Sequence, residues 1–98
     1  MIIIKNTFQE FDKIYNECKS NTGDISPNAV QMLNCIFLLD QYVSQIKYEH
    51  NMQPWKHKGD VLGYGSKLLD MIGKAKEIYG DKYDEAYKPY KEMTTYYR

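Results

Sequence analysis

The stretch SPNAVQMLNCIFLLDQYVSQIKY, residues 26–48, has the spacing of a long helix that other helices enclose. Its apolar side chains recur at steps of three and four along one line: Ala29, Met32, Ile36, Leu39, Val43 and Ile46. Residues 35–39 are apolar on every side, which is typical of a helix with neighbours all round. Between Asp24 and Lys47 the only charged residue is Asp40. This stretch therefore predicts a central helix over 27–49, opened by Ser26 as a cap.

Amphipathic patterns on both sides of this stretch predict further helices. Thr7 to Glu10 has the form of a capping box, which predicts a first helix over 8–20 and leaves 1–5 as an apolar tail. Later patterns predict helices over 61–79, with Leu68, Leu69, Ile72, Ala75 and Tyr79 facing inward, and over 82–96. Gly80 is expected to end the third helix, and Pro89 is expected to kink or restart the last one.

The predicted fold class is all-α, a small up-and-down bundle of four helices around the central helix 27–49. The alternative is three helices with a short, broken fourth segment. A chain of 98 residues predicts a single helical domain over 1–98. The sequence has no apolar run long enough for a membrane span, so we expect a cytoplasmic protein.

The two cysteines, Cys18 and Cys35, fall on the apolar stripes of the first two predicted helices. Cysteines at such positions usually act as small hydrophobic side chains, so we expect reduced thiols in the core of a protein from a reducing compartment. A disulfide that joins the first two helices is the alternative.

The charge of the chain does not favour nucleic-acid binding. Thirteen basic residues balance 13 acidic ones, and Arg98 is the only arginine. Arginine is the usual residue for paired contacts to phosphates and bases. The frequent Lys, Ile, Asn and Tyr have AT-rich codons, which suits an origin in a low-GC bacterium, a phage or a plasmid.

Two short segments resemble ligand sites, and each has a simpler interpretation. GYGSK, residues 63–67, follows Lys56, His57 and Lys58 and offers glycines and lysines to an anion, but it lacks the spacing of a phosphate-binding loop. We interpret it as a flexible turn that caps a helix. His50 and His57 flank Trp55 without a cysteine or carboxylate at zinc-site spacing. We therefore expect no metal, no cofactor and no enzymatic activity.

Aromatic residues are the strongest indication of function. Six of the ten tyrosines lie between residue 79 and the end of the chain. Tyr, Trp and Arg dominate the centres of protein interfaces. The residues predicted to form a partner-binding surface are Trp55, Tyr64, Tyr90, Tyr96, Tyr97 and Arg98. The alternative places the late tyrosines in the core, with their hydroxyl groups at its edge.

These observations predict a non-enzymatic protein-binding module, a small regulator or inhibitor of phage, plasmid or low-GC bacterial origin that docks on a larger protein. The alternative is a nucleic-acid-binding protein that uses Lys56, Lys58, Lys67, Lys74 and Lys76. Chemistry on a phosphate group at 63–67 is a third hypothesis. The side of the central helix that carries Gln31, Asn34, Gln41 and Gln45 is either half-buried or a contact for a partner or a second copy of the chain.

Overall fold

A computed structural model describes residues 2–20, 27–53 and 59–93, and all of these except 53 and 59 are helical. Helix α1 spans Ile2–Ser20, and a 3₁₀ turn, Pro27–Ala29, leads into α2, Val30–Met52. Helix α3 spans Asp60–Tyr79, a second 3₁₀ turn spans Gly80–Lys82, and α4 spans Tyr83–Met93. The all-α prediction is thus confirmed for this part of the chain.

The prediction of four separate helices is wrong, because the described residues form three continuous helical stretches, 2–20, 27–52 and 60–93. No loop separates α3 from α4. Gly80 ends α3 as predicted: it has φ 58°, and its N–H bonds to the carbonyl of Lys76. Pro89 lies inside α4 and does not restart it. A proline removes only one backbone hydrogen bond, and α4 packs against α2 and α3 along its length.

Helix α1 begins six residues earlier than predicted. Residues 2–5, expected to be a tail, belong to the helix, and Thr7 lies buried inside it and is not its first cap. No glycine or proline interrupts residues 2–20, so nothing in this stretch opposes a helix. The capping-box spacing of Thr7 and Glu10 therefore led to a predicted start of α1 that is six residues too late.

Helix α2 is the central element, as predicted, because it contacts α1, α3 and α4. Its fully buried side chains include Met32, Ile36, Leu39 and Ile46. The other helices complete the core with Phe11, Ile14, Cys18, Met71, Ala75 and Tyr83. One detail differs: Leu38, in the stretch expected to be enclosed all round, is 47% exposed. Helix α2 also continues to Met52, so His50 lies in its last turn.

Both cysteines are free and buried, as expected for thiols in the core. Burial, with a smaller effect from the negative charge of Glu10, raises the pKa of the Cys35 thiol to about 11. Burial also raises the pKa of Cys18. Both thiols are therefore neutral at physiological pH.

Four of the five α3 residues that were predicted to face inward pack against the core: Leu68, Ile72, Ala75 and Tyr79. Met71 and Ala75 are its fully buried residues, whereas Leu69, expected to face inward, is 71% exposed. The sequence pattern also predicts a charged outer row of Lys67, Asp70, Lys74 and Glu77. Asp70 and Glu77 are exposed, whereas Lys67 and Lys74 lie over aromatic rings of α1. In the described segments, no helix has the length and apolar character needed to cross a membrane.

Candidate docking surface on helix α3

The outward side of α3 carries a line of four uncharged residues, Leu62, Ser66, Leu69 and Gly73, all of them exposed. They are spaced at i, i+4, i+7 and i+11, so they follow one face of the helix. Leu62 is 81% exposed and Leu69 is 71% exposed. We call this line the α3 stripe. Two leucines exposed on one face of this 20-residue helix mark it as a candidate contact surface.

A groove of about 360 Å³ runs beside the α3 stripe, between α3 and α2. On the α2 side it is lined by Val43, which is buried, and by Lys47, which is exposed. On the α3 side it is lined by Leu62, Gly65, Ser66, Leu68 and Leu69. Among the described lining residues, Lys47 is the only charged one. The described lining of the groove is therefore mostly apolar, with one basic side chain.

Three glycines inside α3 have no structural role within the described part of the chain. A Cβ atom added to Gly63, Gly65 or Gly73 would meet no heavy atom within 4 Å, and none of the three has a positive φ. A glycine inside a helix costs about 0.5–1 kcal/mol relative to alanine. Gly73 belongs to the α3 stripe and Gly65 lies in the groove, so both leave open space on the candidate surface.

The GYGSK segment is not a turn, so the interpretation as a flexible turn that caps a helix is wrong. Residues 63–67 lie inside α3, and the amide of Gly63 donates to the carbonyl of Gly59 at 3.1 Å. Amides that make helical hydrogen bonds are not available to an anion. Gly59, with φ 87°, begins the helix.

The described lysines of the predicted nucleic-acid site do not form one patch. Lys67 lies 5.2 Å from the ring centre of Phe8 on α1, and Lys76 lies 5.5 Å from that of Tyr83 on α4. Lys74 lies 5.4 Å from the Tyr15 ring and pairs with Asp70 at 3.2 Å. Each of these ammonium groups is placed over an aromatic ring of a different neighbour. Lys56 and Lys58 are outside the described residues.

The two described tyrosines of the predicted partner-binding set are half-buried. Tyr64 packs against Phe8 and Tyr42, with ring centres 6.1 Å and 5.3 Å away. Tyr90 packs against Phe37 at 5.9 Å and against Tyr87 at 5.7 Å. Both rings belong to the edge of the core. Trp55, Tyr96, Tyr97 and Arg98 lie outside the described residues.

Helix α4 carries its tyrosines as a ladder. Tyr83 stacks on Tyr87 at 5.7 Å, and Tyr87 stacks on Tyr90 at the same distance. Burial, with smaller effects from the charges of Asp84 and Asp40, raises the pKa of Tyr83 to about 12. The described part of this aromatic stripe therefore packs α4 onto the bundle.

The amide-rich side of α2 is partly open to solvent. Gln31 and Gln45 are exposed, whereas Asn34 and Gln41 are half-buried. The amide of Asn34 donates to the side-chain oxygen of Gln31 at 3.1 Å, so this pair is linked along the helix. These amides are less apolar than the α3 stripe, although exposed Leu38 lies among them.

The described residues contain no group of three or more His, Cys, Asp or Glu side chains that could hold a metal ion. Comparison of the chain with protein-family models, with curated proteins and with solved structures found no match. Sequence reasoning missed the α3 stripe. The signal for it was the spacing of Leu62, Ser66, Leu69 and Gly73, in which large and small residues alternate along one helical face.

Proposed function

We propose that this chain is a non-enzymatic protein-binding module that docks on a larger protein through the α3 stripe and the adjoining groove. The exposure of Leu62 and Leu69 carries this proposal. Burying a leucine side chain contributes about 1.5–3 kcal/mol, so a partner that covers both gains a substantial part of its binding energy there. In a single isolated copy of the chain, both leucines remain in contact with water.

The groove supports an interface with a central anchor. Its volume of about 360 Å³ accepts one or two apolar side chains of a partner, above Val43 and Leu68. Interfaces typically concentrate their energy in a few such buried anchors, with polar groups at the rim. Lys47 is placed to serve as a rim contact for an acidic side chain of the partner.

The surface extends toward the end of the bundle where α2 stops and α3 begins. Met52 is 67% exposed at the end of α2, and Leu62 is in the first turn of α3. The chain between them includes Trp55, which we propose as a further contact. In this proposal Tyr96, Tyr97 and Arg98 form a second contact, while Tyr64 and Tyr90 support the surface from the core.

The biological role we propose is that of a small regulator or inhibitor, from a phage, a plasmid or a low-GC bacterium, that acts by covering a surface of its target. A role in nucleic-acid binding has less support, because Lys67 and Lys74 lie toward α1 while Lys76 lies toward α4. A nucleic-acid footprint needs basic residues on one face.

The test is affinity capture from a lysate of the native host, with the wild type and the double variant Leu62→Gln/Leu69→Gln as baits. Both leucines are mostly exposed, so the double variant is expected to keep its helical circular dichroism and its melting temperature. We expect it to lose the proteins that the wild type captures. The matched control is Leu38→Gln, an exposed leucine on α2, which is expected to keep them. The proposal fails if the double variant captures the same proteins as the wild type.

A further inference from the structure

We propose that a second copy of this chain covers the α3 stripe, with the two α3 helices antiparallel and related by a two-fold axis. The second copy and the foreign partner proposed above would cover the same stripe, so a bound partner would displace the second copy. The inference rests on how large and small residues alternate along the stripe: Leu62, Ser66, Leu69, Gly73.

In the first contact, a leucine of one copy packs into a hole on α3 of the other copy. Leu62, Gly65, Ser66 and Leu69 are spaced at i, i+3, i+4 and i+7, which is the four-residue hole of helix packing. These four residues also line the groove beside α2. The two small residues at the centre of the hole leave room for Leu69 of the second copy.

The second contact forms in the same alignment of the two α3 helices. The next hole along α3 is formed by Leu69, Ile72, Gly73 and Lys76, seven residues further on, with Gly73 at its centre. In an antiparallel pair this hole faces Leu62 of the second copy. The two leucines are also seven residues apart, so one arrangement fills both holes in both copies.

The alternation of large and small side chains along the stripe favours antiparallel over parallel packing of the two α3 helices. In a parallel two-fold pair each stripe residue faces its own equivalent, so leucine meets leucine and Gly73 meets Gly73. Such a pair leaves voids at the small residues and crowds the leucines. The antiparallel pair places both leucines of each copy against holes with small residues at the centre. The four stripe residues are uncharged, and the ammonium group of Lys76, at the edge of the second hole, lies over Tyr83 of its own chain.

The contact area sets the strength of this dimer. The stripe covers eleven residue steps, or about 16 Å of helix. A contact of that length buries less than the roughly 800 Å² per partner of a standard stable interface. We therefore expect a weak dimer in rapid exchange with the monomer.

The test is sedimentation equilibrium of the purified chain from about 5 µM to about 1 mM, a range that brackets weak association. The wild type is expected to rise from the monomer mass of 11.6 kDa toward twice that value. Gly73→Gln puts a side chain into a hole at a position where an added Cβ atom meets no other part of the chain within 4 Å. We expect it to stay monomeric throughout.

The matched control is Gly63→Gln, which also replaces an exposed glycine of α3 with open space around it but lies off the stripe. It is expected to dimerise like the wild type. Leu69→Gln removes a leucine of the contact, and it is expected to be monomeric. A wild type that stays at 11.6 kDa over the whole range overturns the inference. A Gly73→Gln variant that dimerises like the wild type, or a Gly63→Gln variant that does not dimerise, also overturns it. All of these measurements use purified protein alone, so their failure leaves the capture experiment unaffected.

Discussion

The hydroxyl group of Tyr15 on α1 donates a hydrogen bond to Oε2 of Glu77 on α3, 62 residues later in the chain. Lys74 also lies over the Tyr15 ring, from the same side of α3. These contacts hold the charged side of α3 against α1. Leu62 and Leu69 face solvent on the side of α3 that lies away from its buried residues Met71 and Ala75.

The first prediction concerns this link. Tyr15→Phe removes the hydroxyl group and is expected to lower the melting temperature, because the bond to a carboxylate is stronger than one between neutral groups. Glu77→Ala is expected to do the same. In thermal melts the double variant should lose less than the sum of the two single losses, because both changes remove one interaction. Fully additive losses would show that the two side chains act independently.

The second prediction concerns alkaline pH. Burial raises the pKa of Cys35 from 9.0 to about 11, so the folded protein holds a proton that the unfolded chain releases above pH 9. The free energy of unfolding should therefore be unaffected by this group below pH 9 and should fall by on the order of 2–3 kcal/mol as the pH rises to 11. Urea unfolding at several pH values measures this. Cys35→Ala is expected to remove this part of the fall. An identical pH dependence in wild type and variant would contradict the prediction.

The third prediction concerns Asp40 on α2. Burial raises the pKa of this carboxyl group, and the positive charge of Lys47 opposes the rise only in part. A raised pKa means that folding favours the protonated form, so the charged form at pH 7 destabilises the fold. Asp40→Asn should raise the melting temperature at pH 7, and its advantage should shrink as the pH falls and the wild-type carboxyl group is protonated. Asp70→Asn, at an exposed carboxylate paired with Lys74, is the control and should bring no gain.

The fourth prediction separates two kinds of glycine. Gly63→Ala, Gly65→Ala and Gly73→Ala should each raise the free energy of unfolding by about 0.5–1 kcal/mol, because each glycine is helical with open space around it. Gly80→Ala should lower it, because Gly80 has φ 58° and ψ −130°, a sparsely populated backbone conformation that costs a residue with a side chain about 1–3 kcal/mol. Urea unfolding of the four variants measures both signs. A loss of stability in the first three would reveal a close contact at those positions.

The central helix could be predicted from sequence because its apolar residues leave one choice of buried face. On α3 the exposure of Leu69 could not be predicted in the same way. Leu68 and Leu69 are adjacent and point about 100° apart, so the pattern alone does not decide which of them is buried. The choice depends on α1, whose Phe8 and Tyr15 rings accept the lysines of α3. Long lysine side chains can lie along apolar surfaces, so a charged row need not face solvent.

The predicted start of α1 and the predicted number of helices were wrong because both rested on signals a few residues long. Thr7 and Glu10 have the spacing of a cap, but the helix extends past them to Ile2. Gly80 and Asp81 have the pattern of a break between helices, but a 3₁₀ turn carries the chain directly from α3 into α4. Both are cases in which a short-range signal is present and the surrounding chain continues as a helix.

The measurement that tests the central claim most directly is site-specific photo-crosslinking from the α3 stripe. A photoreactive residue is placed at Leu69 in one variant and at Gln45, an exposed position on α2, in the control. Both variants are irradiated in the host lysate and as purified protein. We predict crosslinks from position 69, to a larger protein in the lysate or to a second copy in the purified sample, and none from position 45. No crosslink from position 69, or equal crosslinking from both positions, would contradict the claim that the outer side of α3 is the docking surface of this protein.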